Sequence, residues 1–185
     1  IKEIIIHLAD LIDILSEQEL IQLLEKFACP KNKDVESFLH KKATQFERTH
    51  NAKTYLIFNE ENMSTGIYGY FSLSFKEIII TPDVSKTKVK SLDGFSKKAE
   101  RIKTYLIGQL GKNFNIQDNP LNLTRILECI FPIFEQAQTL IGGRVILLEC
   151  EDIPALVNIY QREKFVFLQK QELIQLYLLF DVKKN

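Results

Sequence analysis

The side chains able to do chemistry are few and widely spaced. His7, His40 and His50 are too scattered to read as a metal-ligand set. Cys29, Cys129 and Cys150 form no C-x-x-C pair, and three cysteines at wide spacing are not a disulfide framework. That usage predicts a cytoplasmic protein with reduced thiols. Cys150, inside an apolar run, reads as a buried, inert thiol. Glu149 and Glu151 flank the end of that run, where a carboxylate is able to take a proton directly or through water. Tyr160 shares one face of a short amphipathic stretch with Leu156 and Val157. A phenol, with an ordinary pKa near ~10, donates a proton to a strong base held close to it. By spacing alone the same tyrosine reads as a core aromatic. Lys86, Lys88, Lys90, Lys97, Lys98 and Arg101 make a basic stretch suited to an anion, although a solvated face is the plainer reading. Arg144, after Gly142-Gly143, reads as a charge at a strand entrance.

Those residues must be placed by the surrounding elements. In 8–24 apolar residues recur at three and four, and Ser16 followed by Glu19 has capping-box spacing, so a second helix starts there. Asp34 is the candidate cap of a third helix carrying Val35, Phe38, Leu39, Ala43 and Phe46 on one face. The period then changes: 54–59 and 67–75 read as an antiparallel hairpin, with a polar turn at 60–66. Residues 84–101 read as a mobile connection with a helical segment near its end. A strand follows at 104–110, then a helix at 123–141 that Pro132 should kink and Gly142-Gly143 should stop. Residues 145–150 are a strand buried on both faces. Asp152 is the candidate cap of the helix carrying Tyr160, with Pro154 in its first turn. Strands at 165–169 and 173–180 finish the chain.

Composition bounds the function. The 185 residues hold 24 Lys+Arg and 24 Asp+Glu, so the net charge is zero, and 45% are hydrophobic. A disordered chain is excluded. Zero net charge argues against nucleic acid as a partner gripped by bulk phosphate neutralisation. No apolar run approaches the ~20 residues that span a bilayer, so no membrane partner is expected. The opening 1–6 carries Lys2 and Glu3 and does not read as a signal peptide. One domain over 1–185 is expected, with 1–33 as a helical extension packed on it. Exposed strand edges are compatible with a homodimer.

From Thr104 onward the chain resembles the GNAT N-acetyltransferase superfamily. Three pieces carry the likeness in order: Tyr-Leu-Ile-Gly-Gln-Leu-Gly-Lys-Asn at 105–113, Ile-Gly-Gly-Arg-Val-Ile-Leu-Leu-Glu-Cys at 141–150, and Ala-Leu-Val-Asn-Ile-Tyr-Gln-Arg-Glu-Lys-Phe at 155–165. Upstream, 55–59 and 69–74 match the family's early hairpin, so the likeness spans roughly 34–180. It implies a mixed α/β fold with a mostly antiparallel sheet, a central splayed pair of parallel strands, and helices on both faces. It implies acetyl-CoA as cosubstrate and a primary amine as acceptor, on a small molecule such as an antibiotic, a peptide N-terminus, a lysine or an aminoacyl-tRNA. The amine attacks the thioester directly. Tyr160 matches the position of the acid that protonates the departing thiolate, and Glu149 is the candidate base.

The resemblance also implies a cofactor path. Gln109, Leu110 and Gly111 stand where members of the family contact the pantetheine arm. The family's phosphate loop usually reads Arg/Gln-x-x-Gly-x-Gly/Ala, and an ungapped alignment from Gln109 puts 115–120 on it. Both glycines are replaced, by Asp118 and Pro120. Asn122 replaces a frequent third glycine, and Lys164 occupies the usual glycine before Phe165. Backbone donors at Asn115, Gln117, Asp118, Asn119, Leu121 and Asn122, with the Lys112 cation, are the candidate pyrophosphate ligands. The lost glycines favour an alternative: a weak or inactive GNAT-fold interaction protein, such as a regulator carried by a mobile element.

Overall fold

Period-two runs become strands and period-3.6 runs become helices, in a computed structural model that describes residues 1–180. The strands are β1 (Glu3–His7), β2 (Lys53–Asn59), β3 (Gly69–Ile79), β4 (Arg101–Lys112), β5 (Val145–Cys150), β6 (Val166–Lys170) and β7 (Ile174–Leu179). They join in the order β1-β2-β3-β4-β5-β7-β6. The sheet is mostly antiparallel. Its parallel pair is β4 with β5, in register from Tyr105↔Ile146 to Ile107↔Leu148. The helices are α1 (Leu8–Ile14), α2 (Glu17–Glu25), α3 (Lys33–Lys41), α4 (Ala43–Arg48), α5 (Lys86–Asp93), α6 (Leu123–Ile141) and α7 (Pro154–Arg162). This is the expected mixed α/β class. No helix among the described residues is long and apolar enough to cross a membrane.

The chain divides into two compact units: 1–74 with 108–131, and 75–107 with the residues from 132 onward. In the first, the expected helical extension opens with a strand. Ile4, Ile5 and Ile6 of β1 pair with Phe58, Ile57 and Leu56 of β2. Leu8, Leu20, Leu24 and Phe27 share one core with Val35, Leu39, Leu56 and Tyr70. α2 starts on the predicted capping box, Ser16 and Glu19 each binding the other's backbone N–H. α3 is capped by Asn32, whose Oδ1 accepts from Asp34 and Val35, so Asp34 is the second helical residue and not the cap. Glu47 of α4 is 2% exposed. Its carboxylate accepts from Lys53 Nζ (2.7 Å) and the Thr54 N–H (2.9 Å), and His7 Nε2 lies 3.0 Å away. That one side chain joins α4, β1 and β2.

In the second unit α5 lies at the start of 84–101, not near its end, because Ser85 caps it and Gly94 closes it in the left-handed conformation. Its buried residues are Val89 and Leu92. Ile78, Leu92, Ile102, Val145, Leu147, Leu168 and Tyr177 form the core of this unit. The Tyr105 ring meets those of Phe75, Phe134 and Phe180. Gly143, at φ +122°, must be glycine, since a Cβ there would sit 2.2 Å from the Tyr105 ring. Pro132 lies inside α6, which runs unbroken from Leu123 to Ile141.

Candidate active site

The sequence-predicted residues fall into the two units, and each group is built by its own elements. In the first unit they lie at the end of β4 and in 113–122. Two buried asparagines organise that loop. Asn113 Oδ1 accepts the N–H groups of Ala28 (3.0 Å) and Asn115 (3.0 Å), and its Nδ2 donates to the Ile67 carbonyl (2.7 Å). Asn119 Nδ2 donates to the carbonyls of Tyr68 (2.8 Å) and Asn113 (2.9 Å), and its Oδ1 accepts from Leu121 N–H (3.0 Å). Lys112 Nζ donates to the Asn119 carbonyl. Asn122 caps α6, its Oδ1 accepting from Arg125 N–H (3.0 Å).

This arrangement changes what the loop offers an anion. The N–H groups of Asn115 and Leu121, and the Lys112 ammonium, already have partners inside the loop. Gln117 and Asp118 are exposed, and Asp118 holds φ +51°, a conformation that suits glycine and that aspartate tolerates better than most residues. The aspartate on the family's glycine position thus adopts a glycine's backbone conformation. Asn113 makes more of the loop's bonds than any other residue and was not among the expected residues. Its signal in the sequence is a polar side chain directly after a strand.

Gly111 has a packing reason to be glycine. A Cβ there would lie 2.6 Å from Val35 Cγ1 and 3.3 Å from Phe27. Its neighbours Gln109 and Leu110 are half-buried.

In the second unit Tyr160 lies in the last turn of α7. Ile153 is the helix cap and makes no side-chain bond; Asp152, the expected cap, instead pairs with Lys170 at 2.6 Å. Pro154 occupies the first turn as predicted. The helix ends in a Schellman turn: Phe165 N–H donates to the Tyr160 carbonyl (3.2 Å) and Lys164 N–H to the Gln161 carbonyl (3.0 Å). Lys164 holds φ +69°, so lysine has kept the backbone shape of the glycine it replaces. The Tyr160 ring stands edge-on to Phe165, 6.3 Å between centroids. Burial pushes its phenol up to about 12, with the Cys150 thiol adding to the effect. The hydroxyl therefore stays protonated throughout the neutral range. Burial, with Asp152 and Glu151 nearby, also pushes the Cys150 thiol up, which fits an inert thiol.

Glu149 belongs to a second arrangement. Its carboxylate accepts from Lys76 Nζ (2.7 and 2.8 Å) and Gln175 Nε2 (2.8 Å). Gln169 Nε2 donates to Gln175 Oε1 (2.7 Å) and the Ile79 carbonyl (2.8 Å), and its Oε1 accepts from Thr81 N–H (2.9 Å). Gln169 and Gln175 are fully buried, so this chain of bonds satisfies amides that would otherwise be costly. The expectation that Glu149 is a free base meets a carboxylate whose oxygens are already held. Gln169 and Gln175, polar residues within apolar strands, were the signal for the network. No group of His, Cys, Asp and Glu able to hold a metal ion occurs among the described residues.

No protein-family model matches the chain, and no curated protein matches it in sequence. Solved structures do. AtaT complexed with acetyl-methionyl-tRNAfMet is similar over 96% of this chain and 95% of its own, with a TM-score of 0.70 and 17% identity. A tyrosine-to-phenylalanine mutant of KacT is similar over 97% and 95%, with a TM-score of 0.70 and 15% identity. AtaTR bound with AcCoA is similar over 96% and 94%, with a TM-score of 0.68 and 16% identity. At these identities the likeness speaks for architecture. The chain has the GNAT fold.

Proposed function

We propose that this chain is an acetyl-CoA-dependent N-acetyltransferase and that its acceptor is the primary amine of an aminoacyl-tRNA. The acceptor class is drawn from AtaT, whose structure holds acetyl-methionyl-tRNAfMet, and the cosubstrate from AtaTR, bound with AcCoA. The zero net charge, taken from the sequence as an argument against nucleic acid, carries little weight beside AtaT with its tRNA and KacTA in complex with DNA. Net charge sums over the chain and conceals local asymmetry.

Acetyl-CoA supplies an activated acetyl thioester. The main chain of Gln109, Leu110 and Gly111 takes the pantetheine arm as an added strand. The backbone N–H groups of Gln117 and Asp118, with the opening of α6, take the pyrophosphate, where unsatisfied donors and the helix dipole favour an anion. Asn119 shapes that loop through its bonds with Lys112 and Leu121, and Asn115 through its bond to Asn113. The acceptor ammonium first loses one proton to water; the neutral nitrogen attacks the thioester carbon, gives a second proton to water as the tetrahedral adduct collapses, and the carbon–sulfur bond breaks. The sulfur keeps the electron pair and takes the Tyr160 proton, and the phenolate regains its proton from solvent.

The observation that carries this reading is Tyr160: half-buried in the last turn of α7, with its backbone fixed by the Schellman turn and its ring edge-on to Phe165. It is tested by following free CoA thiol in the presence of a charged tRNA. Tyr160→Phe should lower kcat by about 10²-fold or more and leave the thermal shift produced by acetyl-CoA unchanged. Equal turnover in the variant, or none in the parent, contradicts the reading. One observation favours a non-catalytic interaction protein: the occupied N–H groups of Asn115 and Leu121. An absence of any thermal shift at millimolar acetyl-CoA would select it.

A further inference from the structure

The zero net charge hides a steep local imbalance. Residues 86–103 hold seven Lys or Arg and two Asp or Glu, and Lys86, Lys90, Lys97, Lys98, Arg101 and Lys103 are exposed. The turn after α5 concentrates this charge. The Lys90 carbonyl accepts the Gly94 N–H at 2.8 Å. Arg144 lies against the turn: its Nη2 donates to the Ser91 carbonyl (3.3 Å), and a Cβ on Gly94 would come 3.0 Å from its Nε. Phe95 projects from this turn 93% exposed, the most exposed of the large hydrophobic side chains among the described residues.

The segment that carries Phe95 is built, not slack. The Asp93 carboxylate accepts the N–H groups of Phe95 (3.1 Å) and Ser96 (2.7 Å), and Ser96 Oγ accepts the Lys98 N–H (3.0 Å). Those bonds hold the Asp93 carboxyl below its ordinary range. A bare aromatic side chain on a lysine-rich segment, with Arg144 against the adjoining Gly94, suits one ligand chemistry well. Nucleobases stack on an aromatic ring while Lys and Arg neutralise the phosphates on either side. A lipid surface fits less well, because a membrane-lying helix needs a broad apolar face. The only apolar side chains of α5, Val89 and Leu92, are buried. A base stacked on Phe95 must be unpaired, which points to a single-stranded end or loop of a structured RNA.

We propose that the turn at Gly94 is an RNA-docking surface, on which Phe95 stacks an unpaired base while Lys90, Lys97, Lys98 and Arg144 neutralise backbone phosphates. It rests on the reading of a tRNA-linked acceptor and names the surface that holds the RNA. The test uses fluorescence anisotropy of a labelled RNA hairpin with an unpaired 3′ end, without acetyl-CoA. The parent should bind in a salt-dependent manner. Phe95→Ala should weaken binding about tenfold. The double variant Lys97→Glu, Lys98→Glu should weaken it at least as much and flatten the salt dependence. All three side chains are exposed, so melting temperatures should match the parent's. An absence of RNA binding by the parent, or parent-like affinity in either variant, overturns the proposal. So does anionic-vesicle binding as tight as RNA binding that is lost in Phe95→Ala, which would assign the turn to a membrane. Acetyl transfer to a methionine ester separates the two readings. Its absence, with RNA binding and its variant effects intact, refutes the enzyme and leaves the docking surface. Its presence with unchanged RNA affinity in both variants does the reverse.

Discussion

Replacing Asn119 by alanine removes three hydrogen bonds from a side chain that is 5% exposed: two donated to the carbonyls of Tyr68 and Asn113, and one accepted from Leu121 N–H. At about 1 kcal/mol net for each bond, the loss is about 3 kcal/mol. For a chain of this size that lowers Tm by about 6–12 °C. Asn119→Asp is the sharper probe. The aspartate keeps an acceptor for Leu121 N–H but turns an oxygen toward two carbonyl oxygens 2.8 and 2.9 Å from the replaced nitrogen. At neutral pH it should cost at least as much as alanine. The fold disfavours this carboxylate, so its pKa is raised, and protonation on lowering the pH restores one donated bond. The aspartate variant should therefore recover relative to alanine as the pH falls. Urea melts of the parent and both variants across pH 4–8 read this directly. A loss below about 1 kcal/mol for alanine, with no pH-dependent difference between the variants, would refute the view that Asn119 organises the loop.

Gly111→Ala should destabilise by about 1–3 kcal/mol in denaturant melts, because its Cβ would lie 2.6 Å from Val35 Cγ1. Lys164→Gly should stabilise by about 0.5–1 kcal/mol and raise Tm, since only glycine holds φ +69° without strain. Glu47→Gln should cost about 3 kcal/mol, because it removes a buried carboxylate that Lys53 and the Thr54 N–H share. At high pH the Tyr160 phenol, raised to about 12 in the fold against about 10 unfolded, favours the folded state fully below pH ~10. That contribution is lost as the pH rises toward 12. Stability measured between pH 9 and 11 should thus fall more steeply for the parent than for Tyr160→Phe; equal slopes would remove the burial of Tyr160 as the cause.

What could be read from the sequence was what local chemistry dictates. Ser16 and Glu19 announced a capping box, Pro154 a helix start, and the apolar 145–150 run a buried strand, because each signal lies within a few residues of the structure it makes. Ile4–Ile6 did not announce β1, since a short apolar run acquires its period only when Leu56–Phe58 arrives to pair with it. Asn32 outcompeted Asp34 as a cap through geometry that composition does not encode. The position of α5 was missed because three lysines mask the two side chains, Val89 and Leu92, that anchor it. At the candidate site Tyr160 and the loop were located by motif. The ties that define their behaviour were not: Asn119 reaches back to Tyr68, and Glu149 reaches Lys76, across 51 and 73 residues of chain. Asp118 and Lys164 stand where the resemblance places glycines, yet both positions hold a positive φ, a backbone shape that the residue types do not announce.

The central claim is that acetyl-CoA lies along the end of β4 and reaches the opening of α6. Hydrogen–deuterium exchange with and without saturating acetyl-CoA measures this at the backbone itself. The account predicts slower exchange at Gln109, Leu110 and Gly111, at Gln117 and Asp118, and in the first turn of α6. Exchange in those segments that is unchanged by millimolar acetyl-CoA would contradict it.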